Sequence, residues 1–173
     1  MSRSRQLLVV RHGIAEDAEA AAAEGREDAG RRLTAEGEQR MRFAAAGLRH
    51  LLPRLDVLAA SPLVRAVQTA DILAGAYADA KRLELAALRP DAEPAAVLAW
   101  LRGRPPEDCV AVVGHEPCLS RLVGQALAGG SGQFVVMKKG AACLLEFHGS
   151  VRAGGAHLVW LLPPKVLRML GRK

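Results

Sequence analysis

An apolar run near the beginning of the chain ends on side chains that could do chemistry. "QLLVV" is followed at once by Arg11, His12 and Gly13. A neutral imidazole can attack phosphorus and carry the phosphoryl group as a covalent intermediate, and a guanidinium presents a planar fork of donors that matches phosphate oxygens. Glycine lets the main chain pass close to a ligand. The triplet is too short to be specific, so its meaning depends on what else reaches the same place.

Related side chains follow two later apolar runs. Ser61 ends "DVLAAS", with Arg65 four residues further on, and His115 ends "CVAVVGH". In an open parallel sheet, ligands bind beyond the carboxyl ends of the strands, so Arg65 and His115 are expected to meet His12 there. Such groups would stabilise the charge that spreads over a phosphoryl group during transfer. Each residue alone is ordinary, but the joint pattern predicts a phosphate pocket.

The hydrophobic pattern predicts alternating strands and helices that position these groups. Strands are expected at 6–10, 56–61, 83–88, 109–115, 141–147 and 157–162. Helices are expected at 34–52 with Thr34 as N-cap, from Ser61-Pro62 to about Tyr77, at 93–102, from Pro117, and after Pro164. This β-α-β-α order predicts a single domain over 1–173, a three-layer α/β/α fold with a mostly parallel sheet.

The segment 15–32, "AEDAEAAAAEGREDAGRR", differs from its surroundings. It is rich in alanine and charge and has no sustained apolar face. We expect a surface excursion, partly helical at most, that lies over the site built by the first strand. Whether it closes over that site is left open by the sequence.

Composition narrows the classes of partner and cofactor. The chain has 173 residues, 50% of them hydrophobic and 3% aromatic, and a formal net charge of +6. The arginines are scattered among acidic residues and few aromatic rings are available for base stacking, so no nucleic-acid partner is expected. The first apolar run is too short for a signal peptide or a membrane span. Three cysteines without metal or redox spacing indicate a reduced, cytoplasmic protein with no metal or other cofactor: Cys109, Cys118 and Cys143.

Three motifs in this order resemble those of the histidine phosphatase superfamily, which has the phosphoglycerate mutase-like fold. They are "LVVRHG", "SPLVRAVQTA" and "VVGHEP", and "RRLTAEGEQR" is similar to a helix start common in that family. The resemblance spans nearly the whole chain. It implies that His12 is the phosphorylated nucleophile, and that the other members of the phosphate pocket are Arg11, Arg65 and His115, with Gly13 and Ser61 beside them.

Within this superfamily the compact chain resembles the SixA-type protein phosphohistidine phosphatases, which are small single domains. The mutases and sugar bisphosphatases continue the first motif as "RHGxSxxN" and carry a catalytic glutamate in an insertion after the third strand. Here the chain reads "RHGIAED" at the first place and only "LRPDAEP" at the second. The general acid is therefore unassigned, and the candidates are Glu16, Asp91, Glu93 and Glu116.

The absence of a dedicated general acid would favour a substrate with a P–N bond over one with a P–O bond. Breaking a P–O ester expels a basic alkoxide, which needs a proton as it leaves. Breaking the P–N bond of a phosphohistidine expels an imidazole, whose conjugate acid has a pKa of about 6.5. The expected activity is therefore dephosphorylation of a phosphohistidine protein. The alternatives are a P–O phosphatase for a small metabolite, such as a sugar phosphate or nucleotide, and a phosphate-binding module without turnover. An acid within the 15–32 segment would weaken the P–N interpretation.

Overall fold

Six strands form one sheet in the computed structural model, which describes residues 4–130, 132 and 134–172. The strands are β1 (Arg5–Arg11), β2 (Val57–Ala60), β3 (Lys81–Glu84), β4 (Cys109–Gly114), β5 (Ala142–Phe147) and β6 (Ala156–Leu162). Their order across the sheet is β3-β2-β4-β1-β5-β6. The first four are parallel to one another, and β5 and β6 are antiparallel to their neighbours. The site-bearing ends of β1, β2 and β4 therefore lie side by side.

Helices cover both faces of this sheet. They are α1 (Ala18–Ala23), α2 (Ala35–Leu51), α3 (Val64–Ala76), α4 (Pro94–Arg102), α5 (Cys118–Ala128) and α6 (Pro164–Leu170). Leu7 and Val9 of β1 pack with α4 and α5, whereas Leu8 and Val10 pack with α2, α3 and α6. Because β1 is buried on both faces, its sequence is a continuous apolar run. The three-layer architecture with a mostly parallel sheet is as predicted.

The predicted helix start at Ser61-Pro62 is wrong. Helix α3 begins at Val64, and Leu63 is its N-cap in an extended conformation. Ser61 instead accepts a hydrogen bond from the Leu63 amide at 3.4 Å, and its Oγ lies 2.8 Å from Nε2 of His115. The Ser61 hydroxyl therefore contacts His115, which is distant in sequence, although the local pattern predicted that Ser61 would cap α3.

The third predicted strand is also displaced. The sequence indicated 83–88, but β3 is Lys81–Glu84 and Ala86–Leu88 forms a 3₁₀ turn. At the edge of the sheet β3 pairs with β2 alone. An edge strand with exposed side chains needs no apolar run. The apolar signal came from the turn, which buries Leu88.

The 15–32 segment lies against the beginning of α3, where Asp28 contacts Arg65. It contains α1, capped by Asp17, and a 3₁₀ turn at Asp28–Gly30, in agreement with the predicted partial helix. A single bridge joins Ala15 to Leu33. Among the residues described, no helix is long and apolar enough to cross a membrane.

The first turn of helix α2 packs against the backbone of Ile14, two residues after His12. Thr34 caps it as predicted, accepting a hydrogen bond from the Gly37 amide at 2.9 Å. A Cβ atom added at Gly37 would lie 2.0 Å from the carbonyl oxygen of Ile14. Glycine is therefore required here by the close approach of two backbones.

We expect Gly37→Ala to lower the free energy of unfolding by about 1–3 kcal/mol, because α2 must shift to relieve the overlap. Urea denaturation measures this. Gly75→Ala is the matched control, since it also lies within a helix but a Cβ there meets nothing within 4 Å. That control should be neutral or slightly stabilising. Equal effects at the two positions would contradict the argument.

Candidate active site

His12 is held in one orientation directly after β1. It is 5% exposed, and its amide donates a hydrogen bond to the carbonyl of Gly114 at the end of β4 (3.1 Å). Its Nδ1 lies 2.7 Å from the carbonyl oxygen of Gly13. A carbonyl can only accept, so Nδ1 carries the proton and Nε2 keeps its lone pair. Nε2 is the atom of this ring that can attack phosphorus.

The imidazoles of His12 and His115 are neutral at physiological pH. The pKa of His12 is lowered to about 3, chiefly by burial and further by the neighbouring His115, Arg65 and Arg11, against the opposing effect of the Gly13 hydrogen bond. Burial, followed by the charge of Arg65, lowers the pKa of His115 to about 4. A nucleophile must be unprotonated, so these shifts favour His12 in that role.

His115 faces His12 across the site. The two ring centroids are 5.0 Å apart and the rings are inclined by 52°. Nε2 of His115 lies 2.8 Å from Oγ of Ser61, which is fully buried. Nδ1 of His115 is buried and has no hydrogen-bond partner in the described part of the chain. Ser61 therefore fixes one ring nitrogen and leaves the other for a ligand.

Two guanidinium groups complete the cluster. Arg11 donates from Nη1 to the carbonyl of Met137 (2.7 Å), and Arg65 is 4% exposed at the beginning of α3. Burial lowers the pKa of each guanidinium, yet arginine remains charged at any working pH. The Nε atoms of both are buried without a partner among the residues described. An oxyanion bound between the two guanidinium groups would satisfy these donors.

The backbone of Gly13 hydrogen-bonds both to the His12 side chain and to a residue of α3. Besides accepting from His12, it donates its amide to Oγ1 of Thr69 (3.1 Å). The Thr69 hydroxyl in turn donates to the carbonyl of Arg65 (2.7 Å). The polar groups of Gly13 are thus engaged within the fold, and it links the nucleophile to the helix that carries Arg65.

Two of the candidate general acids, Glu16 and Asp91, form ion pairs with arginines outside the histidine pair. The carboxylate of Glu16 accepts from the Arg32 amide (2.9 Å) and pairs with Arg26. These hydrogen bonds lower its pKa. Asp91 is exposed and lies 3.6 Å from Arg89. The structure does not bring either carboxylate into contact with His12.

The other two candidates lie on the α4 and α5 side. Glu93 is the residue before α4 and makes no side-chain hydrogen bond to the helix. Glu116 accepts from the Ser120 hydroxyl (2.5 Å) and from the Met137 amide (3.2 Å). Its charge raises the pKa of Arg11 against the larger effect of burial. Glu116 therefore supports the loop that holds Arg11.

The structure adds a carboxylate that the sequence did not single out. Arg65 donates from Nη1 to the carbonyl of Asp28 (2.8 Å) and from Nη2 to its Oδ2 (3.0 Å). Asp28 also pairs with Arg31 at 2.7 Å. Asp28 lies in an alanine-rich segment with many charged residues, so its type and position do not distinguish it. The only sequence signal is that Arg31 follows three residues later, a spacing that allows an ion pair.

The lowered histidine pKa values predict a loss of stability in mild acid. In the unfolded chain each histidine binds a proton below about pH 6.5. In the folded chain the pKa values are about 3 for His12 and about 4 for His115. Between these limits the unfolded state binds more protons, so stability falls as the pH falls.

We expect each of the two histidines to contribute up to about 1.4 kcal/mol per pH unit between pH 6.5 and 5. Urea denaturation at pH 7, 6 and 5 in phosphate-free buffer measures the slope. The variant His12→Ala should lose about half of it. An unchanged slope in that variant would contradict the buried neutral state of His12.

Metal ligands do not cluster in the part of the chain described. No group of three or more histidine, cysteine, aspartate or glutamate side chains could hold a metal ion there. The cysteines Cys109, Cys118 and Cys143 are buried free thiols.

Comparison with known proteins supports both the motifs and the fold. Residues 7–89 match the histidine phosphatase superfamily (branch 1). An uncharacterized protein of Picosynechococcus is 35% identical over 136 residues, which is 78% of this chain and 80% of that protein.

Two solved structures have the same architecture. The protein histidine phosphatase SixA, complexed with tungstate, superposes with a TM-score of 0.80 at 25% identity, covering 94% of this chain and 99% of SixA. A phosphoglycerate mutase from Plasmodium falciparum gives 0.66 at 18% identity, covering 91% and 89%. The second likeness concerns the fold alone. The predicted phosphoglycerate mutase-like fold is confirmed.

Proposed function

The chain belongs to the histidine phosphatase superfamily, and we propose that it is a phosphohistidine phosphatase of the SixA type acting on a phosphorylated protein. The observation that carries this proposal is the neutral His12, whose Nδ1 is bonded to Gly13 and whose Nε2 has no hydrogen-bond partner among the residues described, beside the buried Arg65 and the half-buried Arg11. A single domain over 1–173 and a cytoplasmic location, consistent with the reduced cysteines, are part of the proposal.

In the proposed reaction, the phosphoryl group is transferred first to His12 and then to water. Nε2 of His12 attacks phosphorus and forms a P–N bond while the P–N bond of the substrate breaks, and the departing imidazole takes a proton from solvent. Arg11, Arg65 and His115 donate to the equatorial oxygens and stabilise the charge on them. Water then attacks phosphorus, the bond to His12 breaks, and phosphate leaves with the neutral imidazole restored.

The state of the carboxylates favours a P–N substrate. Three of the carboxylates already accept hydrogen bonds from other groups of the protein: Glu16, Glu116 and Asp28. Surrounding arginines lower the pKa of Asp28, against burial, and hydrogen bonds lower that of Glu16. A carboxyl group with a lowered pKa is a poor proton donor to a departing alkoxide. An imidazole leaving group needs much less assistance.

The deciding experiment compares phosphate release from three substrates at equal concentration. They are a protein phosphorylated on histidine by phosphoramidate, para-nitrophenyl phosphate and glucose 6-phosphate. We expect fast release from the protein and slow release from both esters, with none above background for His12→Ala. Faster release from an ester would reverse the assignment.

A P–O phosphatase for a small metabolite is the second candidate, and Asp28 is the observation that favours it. It is a carboxylate in the 15–32 segment that contacts Arg65. If Asp28→Asn abolished ester hydrolysis and spared phosphohistidine, the ester reaction would have its acid. Tight binding of inorganic phosphate with no release from any substrate would instead identify a binding module.

A further inference from the structure

Asp28 occupies one part of the Arg65 guanidinium and leaves another part open. Its carbonyl oxygen and Oδ2 accept from Nη1 and Nη2. A guanidinium has five N–H donors, so three remain, and the one on Nε is buried without a partner among the residues described. Two acceptors on one residue fix the plane of the group as well as its position.

Asp28 is itself held by the 15–32 segment. Its Oδ1 accepts from Nε of Arg31 (2.8 Å), and Nη1 of Arg31 donates to the carbonyl of Glu16 (2.8 Å). The Arg31 side chain is 15% exposed and that of Asp28 is 58% exposed. The aspartate is therefore a bridge between a nearly buried cation of the segment and the buried cation of the phosphate pocket.

The site has an excess of positive charge. Arg11, Arg31 and Arg65 bring three guanidinium groups to it, which Asp28 and Glu116 offset only in part, and both imidazoles are neutral. The remaining positive charge favours a phosphoryl dianion. Asp28 and a phosphoryl group can therefore be bound together, the first at the Nη atoms of Arg65 and the second at its remaining donors.

We propose that Asp28 is a positioning residue for Arg65: it holds the guanidinium in the plane that presents Nε and the unused Nη hydrogens to the phosphoryl group. The 15–32 segment thereby contributes to phosphate affinity without touching the ligand. This inference rests on the proposed phosphatase function, but it does not depend on which substrate is hydrolysed.

The experiment uses inorganic phosphate, whose affinity is measured by calorimetry and by competitive inhibition. We expect Asp28→Ala to weaken phosphate binding about tenfold and to lower kcat/KM by a similar factor, since one charge-assisted pair is lost. Asp28→Glu should recover part of the loss. Asp17→Asn is the matched control in the same segment, because the side-chain hydrogen bonds of Asp17 are those that cap α1, from the amides of Glu19 and Ala20.

A double-mutant cycle separates positioning from a structural role. In the Arg65→Ala background, Asp28→Ala should change phosphate affinity by less than about twofold, because its effect passes through Arg65. Tighter phosphate binding by Asp28→Ala would overturn the proposal, since Asp28 would then compete with the ligand. An unchanged affinity with a lowered urea midpoint would overturn it as well. Should the wild type prefer an ester, the proposed substrate fails while the phosphate measurements still decide the role of Asp28.

Discussion

Replacement of His12 by alanine is expected to abolish turnover while phosphate still binds. Without Nε2 no covalent intermediate can form, so phosphate release should fall by at least about 10⁴-fold on every substrate. Arg11, Arg65 and His115 remain in place, and their donors account for affinity. We therefore expect the dissociation constant for inorganic phosphate to change by less than about fivefold.

The intermediate can be observed directly. After rapid mixing of wild-type protein with substrate and a quench in base, phosphorus NMR should detect a phosphohistidine substituted on Nε2, because Nδ1 is bonded to Gly13. The His12→Ala variant should show none. His50→Ala is the control, since His50 is exposed near the end of α2. Turnover by His12→Ala comparable to the wild type, or a phosphoryl group on Nδ1, would exclude the mechanism.

The parts of the site that lie on buried parallel strands could be predicted from the sequence. A strand buried on both faces has a continuous apolar run, and the residue after it must lie at the carboxyl edge of the sheet. His12 and His115 follow two such runs in adjacent strands with matched register, Arg11 opposite Gly114. Their convergence is a consequence of topology, which local patterns determine well.

Contacts between segments distant in sequence could not be predicted. Ser61 before a proline has the pattern of an N-cap, but its hydroxyl lies against His115, 54 residues away in sequence. Asp28 is one of several acidic residues in a segment without periodicity. Nothing local distinguishes it from Glu27, which makes no side-chain cap hydrogen bond. Only the packing of the 3₁₀ turn on α3 selects it.

Arg65→Ala is expected to lower kcat/KM by about 10²–10³-fold, the range for loss of one oxyanion donor. Arg65 is 4% exposed and lowers the pKa of both site histidines. Its charge therefore acts at the centre of the pocket. Because phosphate is anionic in both the ground and transition states, KM should rise and kcat should fall together.

Arg65→Lys distinguishes charge from geometry. A lysine retains the positive charge but has no planar fork and no Nε donor, so it should recover KM in part and kcat little. Arg42→Ala is the matched control, an exposed arginine of α2 paired with Glu38. Its kinetic constants should equal those of the wild type. Full activity in Arg65→Lys would mean that Arg65 acts as a point charge, and the positioning by Asp28 would then have no kinetic consequence.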